Sequence, residues 1–350
     1  MKDVVLHLGL PKSGSSALQV FWARNRAALL ARGLDYVPIG EFGAGAEGRI
    51  SSGNGAYIAR CLLPAGNDAL IEDIEPHFAA LFDSVASSNA DTVLVSSELF
   101  AHAAPARLAA LVAMLQDAGV RPRAFYVIRP QAQFLMANYV QVVKRHRYTG
   151  GADEFVRASM GRAPYLLSHS YYQQLCGIFG VAQVRVALYD EMLAGPGGLC
   201  DAVLGALGFT VDGLCDADVT VNPSLGGAAL ALMLVLNRYG PRMEFSDLVI
   251  EAAQARGLTR AGGDAGLLAP ETLAAIERLF AAENQALARA VFGRDTLFAG
   301  VATVLPAPAA AGAPDMAAML DLLADIAVRL DGRVAALEAE RVAGADSALR

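Results

Sequence analysis

The chain has 350 residues and a formal net charge of -7; apolar residues make up 55% of it and charged residues 18%. A mildly acidic balance argues against general nucleic-acid binding, which favours a basic face, and still leaves room for a local basic pocket. The four cysteines, Cys61, Cys176, Cys200 and Cys215, show no metal-ligand spacing and read as reduced thiols of a cytoplasmic chain. No secretory signal is expected, and no run of about 18 uninterrupted apolar residues occurs, so no membrane span is expected either.

Residues 4–8 form a short apolar run. A turn follows, then a helical pattern over 17–32 that Gly33 stops, then a second strand at 34–38. This strand–loop–helix–strand opening is the pattern of a parallel α/β sheet. Residues 41–55 are rich in glycine and serine and read as a mobile loop rather than core. Further buried strands are predicted at 92–96, 124–128 and 184–188, with helices at 105–118 and 131–146 among them. Right-handed crossovers make an α/β three-layer sandwich with a central, mostly parallel sheet the expected architecture.

Residues 226–298 are mostly helical in pattern, and the Ala/Pro-rich stretch 301–314 reads as a linker. Beyond it Met316, Leu320, Leu323, Ile326, Leu330, Val334 and Leu337 recur at three-to-four spacing. That is an amphipathic helix within 315–350, which either packs on its own domain or self-associates as a short coiled coil. The expected organisation is an α/β domain over 1–300, the linker, and the helix.

The most informative segment is Gly9-Leu10-Pro11-Lys12-Ser13-Gly14-Ser15-Ser16, which follows a strand and opens a helix. Gly9 and Gly14 permit tight backbone geometry and the close approach of an anion. Amide hydrogens of the loop and first helical turn would point at phosphate oxygens, aided by the helix dipole. Lys12 adds a positive charge, and Ser13, Ser15 and Ser16 add hydroxyls. An ordinary serine-capped helix would not call for a lysine and three hydroxyls in one turn. In a nucleotide triphosphatase loop the lysine directly follows the second glycine; here Ser15 holds that place and Lys12 stands two residues before Gly14. The loop is therefore suited to an anion bound without an obligatory metal, and no metal-ligand set is present.

Two more strand ends carry charge. Arg129 ends the strand at 124–128 and is placed to hold a phosphate there; a surface ion pair is its ordinary alternative. Glu98 stands just past the strand at 92–96, where ligands of parallel sheets bind. It is a candidate general base, or simply a helix cap. His102, one helical turn later, is the alternative base.

The run His7-Leu8-Gly9-Leu10-Pro11-Lys12-Ser13-Gly14-Ser15-Ser16, continuing through Ala17-Leu18-Gln19, resembles the 5′-phosphosulfate loop of sulfotransferases that use 3′-phosphoadenosine 5′-phosphosulfate, PAPS. It is most similar to bacterial carbohydrate-type members. The resemblance runs with gaps to about residue 240 and implies a P-loop-containing sulfotransferase-like fold. It implies cofactor contacts at Gly9, Lys12, Ser13, Gly14, Ser15, Ser16 and Arg129, with PAP as product. The family carries a serine eight residues after the strand-end arginine; this chain has Ala137 there, and the adjacent Asn138 is the substitute donor.

Ser96-Ser97-Glu98 resembles the family's catalytic segment, which implies Glu98 as base, with His102 as alternative and Lys12 stabilising the charge that develops. Arg256-Gly257 and Arg260-Ala261-Gly262-Gly263 are candidate counterparts of a late basic-glycine segment, and Val221-Asn222-Pro223-Ser224 of a short Asn-x-Ser motif. The implied reaction is in-line sulfuryl transfer to an acceptor hydroxyl, with a carbohydrate or glycolipid favoured. Two other readings stay open: a P-loop nucleotide kinase or phosphotransferase, and a catalytically degenerate sulfotransferase-like binding module.

Overall fold

Five strands form one sheet: β1 (Asp3–His7), β2 (Leu34–Tyr36), β3 (Thr92–Ser96), β4 (Arg121–Ile128) and β5 (Val184–Leu188). Their order is β2-β3-β1-β4-β5, and every neighbouring pair is parallel. Parallel neighbours need crossover connections, and helices between the strands supply them and flank the sheet. All five residues of β1 are buried. A central strand covered on both faces is a continuous apolar run rather than an alternating one, which is why DVVLH reads as it does. At its entry Asp3 is buried and accepts from Arg121 Nε at 2.6 Å and Arg123 Nη1 at 3.0 Å, which pins β1 to β4.

The computed structural model describes residues 1–195, 197–215, 224–225, 227–240, 243–260, 268–298 and 316–348. The linker at 301–314, residues Val221, Asn222 and Pro223, and the stretch Ala261, Gly262 and Gly263 lie outside them. The chain forms two compact units: Met1–Phe134, Met160–Asn222 and Ala274–Thr303 make the first, and Leu135–Ser159, Pro223–Leu273 and Val304–Arg350 the second. The first unit contains the whole five-stranded sheet. Its core includes Phe21 and Trp22, from the helix Ser15–Arg24, packed with Leu34, Tyr36, Leu94 and Phe125 from three strands. In the second unit the helices Gly227–Asn237 and Met243–Ala255 pack on the long helix Met316–Ala348. A two-residue antiparallel ladder, Ser224–Leu225 with Thr259–Arg260, joins that unit's segments. No helix among the described residues is long and apolar enough to cross a membrane.

Two local expectations need correction. The helix predicted over 17–32 is two helices, Ser15–Arg24 and Arg26–Leu30. Asn25 interrupts it: its side chain donates to Phe21 O at 2.9 Å and to Cys215 O at 2.7 Å, competing with the helical ladder. The segment 41–55 is not a mobile loop. It contains the helix Phe42–Ala46, and Asn54 near its end is fully buried. Asn54 Nδ2 donates to Val37 O at 2.9 Å and to Leu94 O at 3.0 Å, and its Oδ1 accepts from Ser96 N at 2.7 Å. The glycines that suggested flexibility serve close approach instead: Gly53 has φ +89° and lies against the Ser96 carbonyl.

Candidate active site at the carboxyl end of the sheet

The strand order places the loop after β1 at the centre of the sheet, beside the ends of β3 and β4. The chain leaves β1 towards β2 and β3 on one side and reaches β4 and β5 on the other. A crevice therefore opens at the carboxyl ends of the central strands, where ligands of such sheets bind.

The loop is anchored at its base. Leu8 N donates to Phe125 O at 2.9 Å, Leu10 N to Val127 O at 3.1 Å, and Val127 N to Gly9 O at 2.7 Å. Gly9 has φ +86°, Lys12 +65° and Gly14 +83°. A Cβ on Gly9 would sit 3.2 Å from Glu98 Cα, so glycine lets the two strand ends meet. The positive φ at Lys12 is uncommon for a residue with a side chain and marks a backbone held by its surroundings.

Past that anchor the amide hydrogens are free. Among the described residues none of the backbone N–H groups of residues 12–17 has a hydrogen-bond acceptor. The helix Ser15–Arg24 opens with Gly14 in the left-handed region, with no side-chain cap and no acidic residue in its first turn. Its positive end and unsatisfied donors therefore converge on one spot, the physical make-up of an anion site. Of the three hydroxyls, Ser13 donates to Leu10 O and Ser15 to Glu98 Oε2. Only Ser16 has no partner among the described residues.

Lys12, Glu98, His102 and Arg129 come together around this loop. The Lys12 ammonium makes no hydrogen bond or ion pair among the described residues. Burial lowers its pKa, the Glu98 charge opposes that, and the nearby Arg129 adds to it. Glu98 opens a short 3₁₀ turn, Glu98–His102, whose cap is Ser97: the Ser97 hydroxyl accepts from Leu99 N at 3.2 Å. Capping is thus done by the neighbour, and the Glu98 carboxylate is released to face the loop, where Ser15 Oγ donates to it at 2.5 Å.

His102 keeps an exposed edge, while its other flank meets Tyr165 edge-on at 5.2 Å between centroids. This partial desolvation lowers its pKa, and the Glu98 charge opposes the drop. Arg129 is buried; its Nη1 donates to Lys12 O at 2.9 Å and its Nε to Gln133 Oε1 at 3.1 Å. Burial lowers its pKa, opposed by Tyr189 and Asp190. The surface ion pair that could have explained Arg129 is absent among the described residues: the side chain is turned inward and braces the lysine-bearing loop. Asn138, half-buried on the helix Gln131–His146, belongs to the second compact unit. Arg256 also lies in that unit and faces Asp321 at 3.8 Å and Asp325 at 3.9 Å.

No protein-family model matches the chain, and no curated protein matches it. A crystal structure of a sulfotransferase from Alicyclobacillus acidocaldarius is similar over 64% of this chain and 87% of its own, with 17% identity and a TM-score of 0.43.

Three participants escaped the sequence analysis. Tyr189 lies under Arg129, with the guanidinium carbon 4.9 Å from its ring centroid, and Asp190 accepts from Gln133 Nε2 at 3.2 Å. The Tyr189-Asp190 pair directly after a strand was a visible signal with no chemistry to attach to it. Tyr165 had no local signal. Its ring is buried, and burial followed by the Glu98 charge pushes its pKa up to about 12. No group of acidic, histidine or cysteine side chains among the described residues is arranged to hold a metal ion.

Proposed function

We propose that the chain is a sulfotransferase that takes a sulfuryl group from PAPS to a hydroxyl of a carbohydrate or glycolipid acceptor. The observation that carries this reading is Lys12, a half-buried cation with no ion pair among the described residues, in a loop whose amide hydrogens from 12 to 17 have no acceptor among them. Such a cradle fits a multiply charged 5′ group. The choice of phosphosulfate over triphosphate rests on the order of the loop, with lysine ahead of the second glycine, and the choice of acceptor on family resemblance.

PAPS would supply an activated sulfuryl group and a stable leaving group, PAP. The chain's residues then have separate tasks. The loop amides, Ser16 and the helix N-terminus hold the anion. Lys12 neutralises negative charge at the bridging position, in a partly desolvated site where that is worth most. Glu98 removes the acceptor proton, with one oxygen fixed by Ser15 and Oε1 left without a protein partner among the described residues. His102 is the alternative base. Arg129 fixes the Lys12 carbonyl and is our candidate for a 3′-phosphate contact.

One observation favours a second reading. The Ser15–Glu98 pair joins a loop hydroxyl to a carboxylate just past the end of the neighbouring strand, an arrangement a P-loop phosphotransferase would use around magnesium. A thermal-shift comparison of PAP with magnesium-ATP separates the two, because a ligand stabilises in proportion to its concentration over its dissociation constant. PAP is expected to raise the melting temperature, and Lys12→Ala to abolish the rise. A larger rise with magnesium-ATP selects the phosphotransferase. PAP binding without transfer of labelled sulfate to any of a broad acceptor panel selects the degenerate binding module.

A further inference from the structure

The helix Met316–Ala348 has two apolar faces. The first is used. Met319, Leu322 and Ile326 are buried against the helices of the second unit, and Arg329–Asp325 at 2.9 Å and Arg333–Glu251 at 3.7 Å flank that contact. The second lies one residue on, about 100° around the helix. Its exposures are Met316 57%, Leu320 60%, Leu323 38%, Leu330 39%, Val334 52% and Leu337 65%. Ala327, exposed as well, fills the remaining position, so the steps alternate four and three without a break. Single exposed apolar residues are ordinary on a protein surface; a continuous stripe three heptads long is not.

The repeat points to the occupant. Over three heptads a straight helix drifts by only about 60°, so the seam stays on one face, and a seven-residue alternation packs best against another helix of the same repeat. A helix lying on lipid would carry a basic polar face, whereas the exposed charges beside this seam are mixed, Asp321 and Asp331 with Arg333. A chain carrying a suitable second seam is another copy of this one, and a two-fold contact presents the same seam to itself. Ala324 and Ala327 are small and permit close approach of the two backbones. The six large side chains expose on the order of 500 Å² per copy, about 1,000 Å² for a pair, which reaches the lower bound for a specific interface.

We propose that this seam joins two copies of the chain, helix on helix, about a two-fold axis. The proposal is independent of the sulfotransferase reading and stands or falls separately from it.

Light scattering on the full chain at tens of micromolar should report twice the 36.5 kDa mass of one chain. Leu320→Asp with Leu330→Asp should halve it and leave the thermal melt cooperative, since neither side chain is buried. A disulfide cross-link provides a readout that needs no destabilising change. With Cys215→Ser as background, Ala327→Cys, at the midpoint of the seam and so beside its own copy in either helix polarity, should cross-link on oxidation, and Val328→Cys, 71% exposed and off the seam, should not. A monomeric wild type, a wild type of three or more chains, a Leu320→Asp/Leu330→Asp variant that keeps the dimer mass, or no cross-link through Ala327→Cys would each overturn the proposal.

Discussion

In the proposed sulfotransferase reading Glu98 and Lys12 carry the chemistry, and the two would fail differently. Lys12 would act by charge in a partly desolvated loop, Glu98 by proton transfer. Glu98→Gln keeps the shape and an oxygen for Ser15 to donate to, and removes only the base. It should lower kcat by roughly 10²- to 10⁴-fold with little change in the KM for PAPS, as measured by labelled sulfate transfer. His102→Gln, in contrast, should cost less than tenfold, on the order of 1 kcal/mol in the transition state. If the two effects were reversed, His102 would be the base. Lys12→Ala should weaken both binding and turnover, because in this reading the same ammonium would face the anion in the ground state and the charge that develops later.

At the scale of elements, the crevice depends on how the end of β3 is held. The backbone groups near it are satisfied by Asn54, a side chain more than 40 residues away along the chain from Ser96. Asn54→Ala would strip the Ser96 amide of its acceptor and remove the donor to Val37 O and Leu94 O in a fully buried place. A loss of about 3 kcal/mol or more is expected, because buried groups left unpaired cost their full desolvation. Urea denaturation should show a lower midpoint at unchanged slope. Glu47→Ala, on an exposed pair with Arg49, should change stability by less than about 0.5 kcal/mol. The predicted loop at 41–55 was misread for the same reason that makes Asn54 matter. Glycine and serine density measures local freedom, and freedom is what a segment needs to wrap closely around a strand end.

At the scale of the whole molecule, acid should act earlier than carboxylates alone would allow. His7, fully buried in β1 with Nδ1 2.8 Å from Ser96 Oγ, has its pKa lowered by burial from 6.5 to about 3. The folded state therefore keeps it neutral while the unfolded chain takes up a proton below 6.5. Stability from this group is complete above pH 6.5 and is lost as pH falls towards 3, by roughly 1.4 kcal/mol per pH unit and on the order of 5 kcal/mol in all. Asp3 is desolvated, yet its bonds to Arg121 and Arg123 win and hold its pKa below 3.8, so its contribution is lost only in stronger acid. Unfolding free energy measured from pH 7 to pH 4 should thus fall for the wild type. His7→Gln should flatten the curve between pH 6.5 and 4; an unchanged slope would show that another group carries it.

The amino-acid order determined by itself whatever is local. Strands at 92–96 and 184–188 and the helix at 131–146 were legible to the residue, because apolar runs and helical periods are properties of neighbours. The turn of glycines and lysine after β1 was legible for the same reason. Only the tertiary structure decided the rest. It joined Ser15 to Glu98 across 83 positions, turned Arg129 onto the Lys12 carbonyl across 117, and buried Asn54. It also chose which face of the helix Met316–Ala348 its own unit covers, burying Met319, Leu322 and Ile326 and leaving the neighbouring heptad seam outside. These outcomes follow from strand order and from competition between packing surfaces, and such long-range pairings leave no period in the chain for a reader to find.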